Sequence, residues 1–414
     1  MKNKIFKAEK TKILTWRPKT QYESLSAIIW INEIFGLRIF EFGKRLRYSW
    51  SIIYVSICIV LYFILYNRML FHCENYWPVY QEISYKFILY INIPIILLCI
   101  VLGFVNTENS KKIIARYEQI DNVLESFGIE KDYLKTFIYV VQVVSTWCIL
   151  MVILFILGWI WCWIDTDIIE AFYLNLLLCT PIIINCLMSI TFNTFIRILR
   201  DKLHKMNTAI SEVHQSSNVN GIDMEYKMQQ TIHKFVLVRN YYNQNNFLRR
   251  FVEITRQMHF EIVSVSRELN QIYSYQLLLN LAMEFIVIIC TLYNLYFDVI
   301  SSTLVEILHC KIVIPIVLFF IFSAKVIIIN HECTYFHREI EITAQTLREI
   351  EVSCIDGSIK DELQQFSLQL ILYPSYFTAA GCVFFDNQLT TKFFGTLSTY
   401  LAISVQMSST SVQS

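Results

Sequence analysis

Residues 136–163 read TFIYVVQVVSTWCILMVILFILGWIWCW, with no Asp, Glu, Lys or Arg among them. At about 1.5 Å per residue such a helix is about 42 Å long, more than the ~30 Å hydrocarbon core of a bilayer. In that core a helix satisfies every backbone N–H and C=O within its own segment. Apolar runs with few charges recur at 48–67, 85–105, 171–195, 272–298, 311–335 and 386–407. The sequence therefore predicts an all-α polytopic membrane protein with seven transmembrane helices.

Composition agrees. The 414 residues are 55% hydrophobic and 17% charged, against about 25% charged in soluble chains. With 9 Gly and 6 Pro the chain is too poor in turn residues for a β-barrel. A net charge of +1 offers no basic surface to nucleic acid. No G-x-S-x-G, H-E-x-x-H, P-loop or dinucleotide fingerprint occurs, so the chain does not read as an enzyme. His331, Glu332 and His337 lack zinc-protease spacing, and neither a metal nor a cofactor is expected. Most of the 12 cysteines lie in apolar runs as small packing residues. Cys73 and Cys310 fall in short polar connections, where a disulfide is open. The N-terminal MKNKIFKAEKTKILTWRPK is basic without an apolar core, unlike a signal peptide.

Positive charge orients the spans. Of 35 Lys and Arg, 30 lie in residues 1–47, 106–135, 196–271 and 330–362. The positive-inside rule then puts the N-terminus in the cytoplasm and, after seven spans, the C-terminus outside. The expected organisation is a cytoplasmic segment 1–47, helices one to four in 48–195, cytoplasmic helical extensions in 196–271, helices five and six in 272–335, further cytoplasmic helices in 336–385, and a seventh helix with a short extracellular tail in 386–414. Within 1–47, Ser24–Phe40 reads as a surface or re-entrant helix. In 196–271, Phe235, Val238, Tyr242, Phe251, Ile254 and Met258 keep helical periodicity, and only 215–224 reads as a loop. No internal repeat points to a transporter of inverted halves.

Polar residues inside apolar spans are the candidate functional groups. Tyr273, Gln276, Asn280, Glu284, Thr291, Asn294 and Asp298 share one face of span five. Asn280, Glu284, Thr291 and Asn294 either bind a polar ligand or make interhelical hydrogen bonds worth about 0.6 kcal/mol each. Trp159, Trp161 and Trp163 close span three, and Tyr85, Phe87 and Tyr90 open span two. Their alternatives are an interfacial aromatic belt or a ligand pocket, with Trp159 and Tyr90 as the expected stacking residues. Glu284 and Lys325 lie about 18 Å and 15 Å from the cytoplasmic ends of their spans. They either form a structural ion pair or leave Lys325 to snorkel.

The C-terminal third carries a recognisable pattern. Glu362-Leu363 is followed by Phe366-Ser367-Leu368-Gln369-Leu370, Phe377-Thr378-Ala379-Ala380-Gly381 and Phe385-Asp386, and it ends in Thr399-Tyr400, five further residues, Gln406 and Met407. In order and spacing this resembles the insect gustatory receptor family, with the related insect odorant receptors as the alternative. The family's terminal Phe is replaced by Met407, and Ser404 stands among the five apolar positions. The resemblance implies a homotetrameric, ligand-gated, non-selective cation channel of the plasma membrane of sensory neurons, opened by a small-molecule tastant. Its expected partners are the tastant, permeant cations, membrane lipids and other copies of the chain. It further implies that the cytoplasmic helices form an anchor region and that helix seven lines the pore. Ser398, Ala402, Val405, Gln406 and Met407 are then the pore and gate positions. A metabotropic receptor fits the orientation poorly.

Overall fold

The computed structural model describes residues 17–42, 45–76, 79–165, 167–218, 244–301, 310–353 and 357–413. The chain opens with two short helices, α1 (Gln21–Ser24) and α2 (Ser26–Ile34), and a two-residue ribbon of β1 (Glu41–Phe42) and β2 (Arg45–Leu46). Long helices follow: α3 (Tyr48–Tyr76), α4 (Val79–Val105), α5 (Thr107–Ser126), α6 (Tyr133–Asp165), α7 (Ile168–Asn218), α8 (Gln244–Ser301) and α9 (Cys310–Ser353). The C-terminal part comprises α10 (Gly357–Leu372), a hairpin of β3 (Thr378–Ala379) and β4 (Val383–Phe384), and α11 (Asn387–Gln413).

Among the described residues five helices, α3, α6, α7, α8 and α9, are long and apolar enough to cross a membrane, and α4 has a shorter apolar stretch, Pro94–Val105. The α11 helix is not among them, because Thr390, Thr391, Lys392, Ser398 and Thr399 dilute its apolar residues. At 58 residues α8 is about 87 Å long, so the helices outrun any bilayer and their ends pack as a second bundle.

One apolar core runs through both bundles, from Leu177 and Ile288 to Phe251 and Phe366, and the extension bundle adds charge to it. The apolar bundle is close-packed around residues such as Phe192, Leu177 and Ile288, all fully buried. The extension bundle of α5, the distal halves of α7, α8 and α9, and α10 is also tied by charge. Arg116 of α5 reaches Glu268 and Glu261 of α8 at 2.6 and 2.7 Å. Arg200 of α7 meets Glu332 of α9 at 2.6 Å, and Lys202 pairs with Asp121 of α5. Asn207 donates to the Glu339 carbonyl at 2.8 Å and accepts from Thr343 at 2.6 Å. His259 is enclosed against Phe366 of α10, ring centroids 5.4 Å apart, and burial pushes its pKa down to about 3.

Three segments bear on the expectations. The segment Ser24–Phe40, expected as a surface or re-entrant helix, has its buried face wedged into the bundle. Leu25, Ile28 and Ile29 are buried, Asn32 donates to Thr191 of α7 at 2.9 Å, and Phe35 meets Trp147 edge-on at 6.0 Å. Its path presses so closely on α4 that a Cβ on Gly103 would collide with the Leu37 carbonyl. Residues 336–385 are not wholly helical, since the β3–β4 hairpin interrupts them. Ala380 (φ 50°) and Gly381 (φ 72°) turn the chain left-handed there. Asn270 and Ser274 of α8 hold the hairpin, the first bonding the Thr378 N–H at 3.0 Å and the second the Ala380 N–H at 2.6 Å. Third, helix α7 continues into the expected loop 215–224 as far as Asn218. Phe235, Val238 and Tyr242 lie outside the described residues, whereas Phe251 and Met258 are buried.

Candidate ligand cavity

Prolines inside α7 (Pro181) and α9 (Pro315) each lack the N–H for one helical hydrogen bond. Both line a cavity of about 100 Å³ enclosed by α4, α6, α7, α8 and α9. Gly158 of α6 also lines it, and a Cβ there would collide with the Asn175 side-chain oxygen. Apolar surface comes from Leu154, Trp161, Met283, Val287, Leu318 and Phe322.

The polar groups are almost all asparagines. Asn92, Asn175, Asn185 and Asn294 line the cavity with Thr291, each at most 8% exposed. Asn175 is held, donating to the Phe155 carbonyl at 2.7 Å. The side-chain oxygens of Asn92, Asn185 and Asn294 have no partner among the described residues. A buried acceptor without a partner costs about 1–3 kcal/mol, a cost removed by any ligand that donates to it. Each side chain can also turn its amide to the cavity as a donor. The site thus fits a small, mainly apolar molecule with a few hydroxyl or amine groups.

The sequence candidates separate. Thr291 and Asn294 line this cavity, while Asn280 and Glu284 border a smaller pocket of about 10 Å³ with Phe385. Lys325 Nζ lies 2.6 Å from Glu284 Oε1, with both side chains almost fully buried. Asn280 is 2% exposed, and neither end of its amide has a partner among the described residues. Trp159 does not line the cavity. It is 36% exposed and packs edge-on against Phe172 at 6.0 Å, and the adjacent face of α6 brings Trp161 inward instead. The side chains of Tyr90, Met407, Cys73 and Cys310 lie outside the described residues. Asn92, Asn175 and Asn185 escaped the sequence reading; the available signal was isolated asparagines within the apolar parts of α4 and α7, on helices that also carry Pro94 and Pro181.

On α11, Phe393 and Leu397 are buried against the bundle, while Thr391, Gly395, Ser398 and Ala402 stay exposed. Val405 is half-buried and Gln406 exposed. Phe285 of α8 meets Phe393 and Tyr400 edge-on, at 5.5 and 5.8 Å. Asn330 of α9 donates to Thr390 at 2.8 Å.

Comparison with known proteins follows the same lines. No match was found among curated protein sequences. Two solved structures of the insect olfactory receptor OR5 from Machilis hrabei, one alone and one in complex with eugenol, share the fold. Each superposes with a TM-score of 0.61 at 13% identity, covering 92% of this chain and 97% of that one. The profile of the family described as "7tm Chemosensory receptor" matches residues 25–411. With nearly its whole length matched, the chain belongs to that chemosensory receptor family, the family of insect gustatory and odorant receptors.

Proposed function

We propose that this chain is a gustatory receptor acting as a ligand-gated, non-selective cation channel. The observation that carries the proposal is the pair of opposed faces on α8. One face gives Met283, Val287, Thr291 and Asn294 to the cavity, and Phe285 on another touches α11 at Phe393 and Tyr400. A small molecule filling the cavity displaces α8, and the aromatic contacts pass that displacement to α11. The uncovered stripe of Thr391, Gly395, Ser398 and Ala402 suits a helix that faces other copies around a central pore.

In this reading seven helices cross the membrane, with the N-terminus inside and the C-terminus outside, and four copies assemble in the plasma membrane of a sensory neuron. No Asp or Glu follows Asn387, so no carboxylate ring selects among cations. Gln406 and Met407 stand at the outer end of α11 as the gate. The test is whole-cell recording from cells expressing only this chain. A rapid cation current evoked by small hydroxylated or aromatic compounds, independent of guanine nucleotides, supports the proposal. Substrate-coupled flux without a channel current defeats it. The likeness to the OR5–eugenol complex favours one second reading, an odorant-type receptor. Activation by volatile phenols alone, with sugars and bitter compounds silent, would select that reading.

A further inference from the structure

A second and larger opening lies on the flank of the apolar bundle. Between α6, α7 and α9 a groove of about 950 Å³ runs toward the end of the bundle opposite the ligand cavity. Along α7 it extends from Cys186 to Arg197, about 16 Å, which matches one leaflet of a ~30 Å core. Trp147, Met151 and Cys186 form a buried floor, and the rim is apolar and outward-facing, with Phe320 63% and Ile328 50% exposed.

The charged residues gather at one end. The Arg197 guanidinium lies 4.0 Å over the Tyr139 ring and 3.9 Å from the nearer oxygen of Glu332. The other Glu332 oxygen is taken by Arg200 at 2.6 Å. Arg200 is also held by Asp201 at 3.2 Å, so that guanidinium is taken up by two carboxylates, and Arg197, with its nearest carboxylate oxygen at 3.9 Å, is left as the loosely paired cation at the mouth. Lys325, which also borders the groove, is neutralised by Glu284 and adds nothing to it. An apolar helix from another copy would bury the Arg197 cation with no close partner, and a free inorganic anion would leave the apolar length uncovered. An acyl chain with an anionic head answers both ends.

We propose that this groove binds one anionic glycerophospholipid of the inner leaflet, its acyl chain lying between α6, α7 and α9 and its head group against Arg197. Only the assignment to the inner leaflet rests on the orientation proposed above. The test is native mass spectrometry of the detergent-purified full chain, offered phosphatidylserine or phosphatidylcholine of identical acyl composition. Phosphatidylserine should be retained about fivefold more strongly, the effect of one basic side chain near an anionic group. Arg197→Gln should reduce it to the phosphatidylcholine level while Arg200 still pairs Glu332, and Arg197→Lys should keep the preference. Ala324 is exposed on the groove wall, so Ala324→Trp should occlude the groove and lower retention of both lipids without disturbing the core. Equal retention of the two lipids by the unaltered chain overturns the proposal. So does a preference that survives Arg197→Gln, or retention unchanged by Ala324→Trp. These readouts need no tastant and no current, so they fail or succeed apart from the channel reading.

Discussion

Asn207 of the extension bundle and the cavity asparagines of the apolar bundle stand in opposite hydrogen-bonding states, although the His259 ring of the extension bundle also has no hydrogen-bond partner among the described residues. In the extension bundle, Asn207 is bonded at both ends of its amide, to Glu339 and Thr343, and Arg116 bridges two glutamates. In the apolar bundle, the oxygens of Asn92, Asn185 and Asn294 line a cavity with no partner among the described residues. Satisfied polar networks fix one arrangement, whereas unsatisfied acceptors hold binding energy in reserve. The contrast suits a molecule in which one bundle holds its shape and the other responds to a ligand.

The strongest way to break that contrast is the one buried ion pair of the responsive bundle described above. Glu284→Gln should cost about 3–5 kcal/mol, because Lys325 is left charged in a low-dielectric core. Detergent-solubilised melting and surface expression read the loss, and Glu284→Gln with Lys325→Met should recover most of it. Equal loss in the single and double variants would mean the pair is not coupled.

His259 gives the next effect, in the extension bundle. Its pKa is pushed by burial to about 3, below the ordinary 6.5, so the folded protein excludes a proton that the unfolded chain accepts. The contribution is full above pH 6.5 and is lost as pH falls toward 3, at up to about 1.4 kcal/mol per pH unit. Melting temperature should drop between pH 6.5 and 5, and His259→Phe should flatten the profile. An unchanged slope in that variant would move the cause elsewhere.

The sharpest comparison pairs two asparagines. Asn207→Leu should destabilise by about 1–3 kcal/mol, since it removes the Asn207 bonds to Glu339 and Thr343 from a buried network. Asn294→Leu should be neutral or stabilising by up to about 1 kcal/mol while ligand potency falls roughly tenfold. Similar melting losses in both variants would erase the distinction between the bundles. The smallest effect concerns Gly158→Ala. The added methyl must displace Asn175, so ligand potency should shift while the resting current stays unaltered.

The long helices were legible because an uncharged apolar run has few other folds available, as 136–163 illustrates. The α11 helix was legible only through its motif, since its hydroxyl-rich face hides the apolar one formed by Phe393 and Leu397. Two of the seven residues of the span-five stripe reached the cavity, because α8 is so long that Glu284 and Asn280 lie about two and three turns away from Thr291. Residues on other helices obey no shared period. Asn92, Asn175 and Asn185 meet Asn294 only through packing. Trp159 and Trp161, two positions apart, point to different sides of α6, and only the neighbouring helices decide which one turns inward.

The wedge formed by α2 bears on how the chain is made. Asn32 bonds to Thr191, 159 residues later in the sequence. At roughly 5–20 residues per second, a ribosome needs on the order of 8–30 s to deliver that partner. During this interval the apolar side chains of Leu25, Ile28 and Ile29 have no bundle to enter. A helix that leaves the ribosome early is thus among the last to be housed, and the quality-control machinery of the cell has that long to find it.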